Sequence, residues 1–203
     1  MSKEQVAERY LDDYLDGDMP PMFDNDLLSD LVMWAAQDNE ETAALVEKTF
    51  PAEEGWGEWY QNAWAKEVRN GVCRSSFCIA GQAVVQTGYA LIYYAYERVG
   101  DFRYLGADFA APAVPDPEGK VHEKGPLAGK PVMVPDPDED SHQQIGVIAR
   151  KELGLMEWEA SKLFDGDNEI NQIVAIARGI AGRRGFDLNV PDAVLALAGV
   201  STA

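Results

Sequence analysis

The chain has 203 residues and a hydrophobic content of 46%, enough to bury one sizeable core, and its length alone favours a single domain. Seventeen basic against thirty-five acidic side chains leave a formal charge of −18, which repels nucleic-acid backbones and anionic membranes and favours a cationic partner. Direct nucleic-acid binding is therefore not expected. Two cysteines are too few for a disulfide-stapled secreted scaffold, and Met1-Ser2-Lys3-Glu4-Gln5 lacks the apolar run of a signal peptide, so the expected compartment is the cytoplasm.

From Lys3 to Leu15, Val6, Ala7, Tyr10, Leu11, Tyr14 and Leu15 share one side at helical spacing, and Glu8, Asp12, Asp13 and Asp16 share the other. Gly17 and the Pro20-Pro21 pair end this amphipathic helix. Asp24 or Asn25 can cap a second one running through Leu27, Leu28, Leu31, Val32 and Trp34. A third is predicted from Asn39 or Glu40 to Phe50, before Pro51.

Between residues 55 and 70, Trp56, Trp59, Tyr60 and Trp64 fall mostly on one side of a helix, as a core face would. Asn70-Gly71 then makes a turn, and Ser75 or Ser76 offers an N-cap. Phe77 to Tyr96 is a 20-residue stretch without formal charge, long enough to cross a bilayer. Gln82 and Gln86 lie one turn apart on one face of it, and Gly81, Thr87 and Gly88 weaken it further as a membrane insert. The expectation is a buried central helix reaching about Val99, with no membrane association.

Residues 100 to 141 hold seven of the eleven prolines and little helical periodicity, so a long loop or extended excursion is predicted. An internal echo lies within it: Val114-Pro115-Asp116-Pro117-Glu118 and Val134-Pro135-Asp136-Pro137-Asp138, twenty residues apart. Two arms of a hairpin-like loop would explain the echo, and so would chance. From Ser141 the helical pattern resumes through Ile145, Ile148, Ala149 and Leu153, and turns at Gly154. It continues through Trp158, Ala160, Leu163 and Phe164. Asp165-Gly166-Asp167-Asn168 breaks the pattern before a final strong helix through Ile170, Ile173, Val174, Ala177 and Ile180. A short helix from Pro191 or Asp192 to Leu197 closes it.

Motifs that would carry chemistry are few. Cys73-Arg74-Ser75-Ser76-Phe77-Cys78 places two thiols five residues apart at a helix start. They can form a disulfide or redox pair, with a thiol activated by the helix terminus, or simply pack as small apolar side chains. His122 and His142 have no ligand-like spacing to these cysteines, so no metal site is expected. Asp165-Gly166-Asp167-Asn168-Glu169 fails as a calcium loop, because its sixth and twelfth positions are Ile170 and Ile176; a helix-capping turn accounts for it. Residues 145 to 164 read as a helical hairpin, since Glu157 and Glu159 open the helix that would otherwise meet DNA. Neither a phosphate-cradling loop nor a hydrolase or metalloprotease signature is present, so no catalytic residue and no cofactor is assigned.

The charge is unevenly placed. Residues 1 to 54 contain fifteen acids and three bases. Glu4, Glu8, Asp12 and Asp16 recur every four residues and, with Asp13, form an acidic helix face. Like charges at that spacing destabilise a helix, so the row is either a solvated face or a surface for a basic protein, including one that imitates a row of phosphates.

Cys73-x4-Cys78-Ile79-Ala80-Gly81-x-Ala83 follows Trp59 and Trp64, and Ala149-x3-Leu153-Gly154-Leu155-x4-Ala160-x2-Leu163-Phe164 comes later in the chain. Together they resemble a set of small uncharacterised helical proteins of actinobacteria and their phages, over residues 56 to 90 and 142 to 178. Arg74 and Gln82 depart from that pattern, which carries a small residue and a Trp or His at these places. The resemblance implies no reaction or ligand; it implies a phage-encoded accessory protein that binds a host protein.

The sequence therefore predicts a mainly α single domain over residues 1–203, a helical bundle around a buried apolar helix. Residues 1–99 supply the N-terminal and central helices, 100–141 the Pro-rich excursion and 142–203 the C-terminal helices. The expected function is an acidic protein-interaction module with a basic partner. The rivals are a thiol-based redox protein or enzyme using Cys73 and Cys78, and a nucleic-acid mimic.

Overall fold

The computed structural model describes residues 22–37, 58–59, 65–69, 75–99, 102–121 and 129–199. Helix α1 (Asn25–Ala36) begins where Asp24 can cap it: the Leu27 N–H donates to Asp24 Oδ1 at 2.8 Å. Leu28, Leu31, Val32 and Trp34 on this helix are buried. Three short strands follow, β1 (Glu58–Trp59), β2 (Ala65–Arg69) and β3 (Ser75–Phe77). The helix expected over 55–70 is thus replaced by strand in its described parts, and Ser75 and Ser76 belong to β3 rather than to a cap. The third predicted helix, from residue 39 or 40 to Phe50, lies outside the described residues.

The apolar run corrects the sequence reading most. It is not one helix but two elements: α2 (Ile79–Gln86), capped by Cys78, and β4 (Tyr89–Val99). Gly88 stands between them at φ +89°, the left-handed region glycine tolerates, and this residue turns helix into strand. Beyond it, Tyr-Ala-Leu-Ile-Tyr-Tyr-Ala-Tyr is rich in aromatic and branched side chains, which suit a pleated surface. Among the described residues no helix is long and apolar enough to cross a membrane.

The Pro-rich excursion is corrected as well. Most of its first half is β5 (Phe102–Pro115), a strand of 14 residues that pairs with four others. Beyond it lie β6 (Met133–Pro135) and β7 (Gln143–Gln144). The sheet runs β1-β3-β2-β5-β4, with β6 and β7 also on β5; β1 and β3 are parallel and the other pairs antiparallel. The fold is therefore mixed α and β, with a helical layer against an antiparallel sheet, and not the all-helical bundle predicted.

The echoed segments face one another in this sheet, with Val114 opposite Val134. The Asp116 N–H donates to the Val132 carbonyl at 2.8 Å, and the Asp136 N–H to the Pro112 carbonyl at 3.0 Å, so each arm repeats the other's contacts about a local twofold. Each aspartate then turns its chain: Glu118 N–H donates to Asp116 Oδ1 at 2.7 Å and Asp138 N–H to Asp136 Oδ1 at 3.0 Å.

Four helices complete the chain: α3 (Ile145–Glu152), α4 (Glu157–Leu163), α5 (Ile170–Arg183) and α6 (Asp192–Leu197). Gly154 at φ +62° makes the turn between α3 and α4, and Asn168 Nδ2 donates to the Lys162 carbonyl at 2.7 Å, closing the end of α4. The core joins Leu31 and Trp34 of α1 to Ile79 of α2, Ile148 of α3, Leu163 of α4 and Ile180 of α5, with Leu91, Ala107 and Ala110 from the sheet.

One charge lies inside this shell. Glu159 is 1% exposed, forms an ion pair with Arg184, and lies 3.4 Å from Arg183. Its Oε2 also accepts the Met156 N–H at 3.0 Å, while Arg184 Nη1 donates to the Gly154 carbonyl at 2.6 Å and its guanidinium lies 4.3 Å from the Phe23 ring. Removing one member of such a cluster leaves its partner charged and buried. Glu159→Gln is therefore expected to cost about 3 kcal/mol, read as a lower midpoint in urea unfolding.

Candidate functional site

A strand and two helices consecutive in the chain meet at a surface groove of about 820 Å³. Asp108 and Phe109 enter from β5, Gln144, Gly146, Val147 and Arg150 from β7 and α3, and Glu157, Ala160, Ser161 and Phe164 from α4 and its end. Asp108 owes its place to a β-bulge. Ala107 pairs with Tyr93 and Phe109 with Ile92, so Asp108 is the extra residue of β5. A bulge of this kind re-aims the side chain it carries.

Apolar and charged side chains both line the groove. Phe109 is 44% and Val147 45% exposed, Phe164 is half-buried and Ala160 buried. Asp108 and Glu157 are exposed carboxylates, and Arg150 is a half-buried cation. Neither Arg150 nor Glu157 has an ion-pair partner among the described residues. Among the described residues no histidine or cysteine lines the groove.

The sequence-predicted residues are distributed elsewhere. Glu4, Glu8, Asp12, Asp13, Asp16 and Cys73 lie outside the described residues, as does His122. Cys78 caps α2, is 1% exposed, and accepts the Gly81 N–H at 3.4 Å. Burial pushes its thiol up to about 11 against the pull of the surrounding backbone N–H groups. That is opposite to the depression a reactive helix-terminal cysteine needs. His142 contacts the Asp136 carbonyl at 3.3 Å through Nε2. Among the described residues no three His, Cys, Asp or Glu side chains are grouped to hold a metal ion.

Part of the acidic surface is described. Asp24, Asp26 and Asp30 are exposed along α1, and neither Asp26 nor Asp30 has an ion-pair partner among the described residues. The Asp30 carboxyl is held above the usual carboxylate range by partial burial, then by the charges of Asp26 and Asp24.

Compared with known proteins, the chain matches no family model, no curated protein and no solved structure.

A thiol with the setting of Cys78 stays protonated at neutral pH. In a Cys73→Ser chain, alkylation of Cys78 by iodoacetamide is expected to be negligible at pH 8 in the native state and fast after denaturation. A native rate comparable with that of free cysteine would restore the reactive-thiol reading.

Proposed function

We propose that this chain is an acidic protein-interaction module whose partner presents a basic surface. The observation that carries this reading is the row Asp24, Asp26 and Asp30, in which burial and mutual repulsion raise Asp30 without a compensating cation among the described residues. A row held against its own repulsion is relieved by a bound cationic surface. The net charge of −18, with fifteen acids in the first 54 residues, extends the same tendency over the chain. The likeness to actinobacterial and phage proteins adds the narrower reading of a phage-encoded modulator of a host protein. The redox alternative is weakened by the buried, high-pKa Cys78.

Immobilised protein is expected to capture a partner from lysate at about 50 mM salt and release it at about 500 mM, as screening shortens the reach of charge. Two charge-reversed chains, Glu8→Lys with Asp12→Lys and Asp26→Lys with Asp30→Lys, separate the N-terminal row from α1. In the purified complex the Asp30 carboxyl should titrate at lower pH than in the isolated chain, because a cation favours its ionised form. Capture indifferent to salt and to both variants, or an unmoved Asp30 titration, would sink the proposal.

A further inference from the structure

We infer that α2 holds an ordered water molecule between the side-chain amides of Gln82 and Gln86, an internal site that does not depend on any partner of the module. Among the described residues three polar or charged side chains are buried: Ser29, Glu159 and Gln82. Ser29 Oγ donates to the Asn25 carbonyl at 2.7 Å and accepts the Asn189 N–H at 3.0 Å, and Glu159 is held by Arg184 and by the Met156 N–H. Gln82 differs. It is 0% exposed, and neither its Oε1 nor its Nε2 has a hydrogen-bond partner among the described residues. Gln86 Nε2, one turn further along α2, is buried and unpartnered in the same way. Buried polar groups are as a rule satisfied by protein or by bound water, so three unmet atoms on one helix mark a place where a small molecule supplies the bonds.

Geometry and chemistry select the occupant. Residues four apart on a helix share a face, with Cβ atoms about 5–6 Å apart, a gap that one water spans with two hydrogen bonds of about 2.9 Å. Helical side chains lean toward the N-terminus, which carries the Gln86 amide over the turn that bears Gln82. A water can accept from both Nε2 groups and donate to Gln82 Oε1, giving it about three protein partners, the ordinary number for an internal water. Ile79, Ala80, Ala83 and Val84 of the same helix are buried and apolar, so their side chains supply none of these bonds. The helix Ile79–Gln86 carries no acid or base, and an ion buried here would find no counter-charge on it. An apolar ligand would leave both amides unmet. Water is small, neutral, and both donor and acceptor. The glutamine pair that interrupts the uncharged run of residues 77–96 thereby gains a role.

The test uses the full chain, isotope-labelled at nitrogen, with cross peaks between water and the side-chain amides recorded by NOE and by ROE. A long-lived water gives NOE and ROE peaks of opposite sign, whereas proton exchange with solvent gives the same sign in both. Opposite-signed peaks are expected at the Nε2 protons of Gln82 and of Gln86. Magnetic relaxation dispersion of the water oxygen then counts long-lived waters. Gln82→Met replaces the amide by an apolar group of similar length and should lower that count by about one per chain. Gln143→Met, at an exposed glutamine of β7, should leave the count unchanged. Absent or same-signed peaks at Gln82, peaks at Gln82 without a counterpart at Gln86, or an unchanged count in folded Gln82→Met each overturns the site. Should Gln82→Met fail to fold, the cross peaks of the unaltered chain decide by themselves.

Discussion

A strand of 14 residues must satisfy the N–H and C=O groups along both of its edges, and β5 is that strand here. It does so with β4 over most of its length and with β2, β7 and β6 in succession. Pairing with β2 ends at Gly106 and pairing with β7 begins at Phe109. The handover falls on Ala107 and Asp108, where the ladder with β4 also slips by one residue. The groove therefore arises where β5 changes partners. β7 runs directly into α3, so the exchange also fixes where that helix starts and where Val147 and Arg150 stand.

Positive charge is scarce in this molecule, and much of the described part is already engaged. Arg183 and Arg184 surround Glu159, and Arg183 also lies 4.6 Å from the Trp158 ring, with Lys162 at 5.3 Å from it. Lys120 pairs with Glu118 at 2.6 Å and Asp116 at 3.7 Å. Among the described residues none of these cations pairs with Asp26 or Asp30 of α1. Electrostatics divides in two among the described residues: a buried pair between helices, and exposed acids on α1 without an ion-pair partner.

The sequence was most readable where periodicity and turn chemistry agreed. Asp24 before an apolar stripe, Gly154 between two stripes and Asp165 to Asn168 before a third each marked a boundary that the structure has. Residues 77–96 were not legible, because absence of charge is shared by a buried helix and a buried strand, and the change of period at Gly88 is one residue wide. In residues 100–141 the prolines suggested loop, yet Pro112, Pro115 and Pro135 lie within β5 or β6, near strand ends where a missing N–H is tolerated. The groove could not be foreseen. Two of its walls lie in the hairpin over 145–164, but β5 stands well before it in the chain, and nothing in Ala107-Asp108-Phe109 announces a bulge.

The first described helix is tied to the far end of the chain. Asn25 Nδ2 donates to the Asp187 carbonyl at 2.9 Å, the Asn189 N–H donates to Ser29 Oγ at 3.0 Å, and the Phe23 ring packs tilted against Phe186 at 5.8 Å between centroids. These contacts span about 160 residues. During synthesis, α1 has no partner for this side until about 160 further residues have been added. Arrival of residues 186–189, rather than local helix formation, sets the moment at which this side of the core can close.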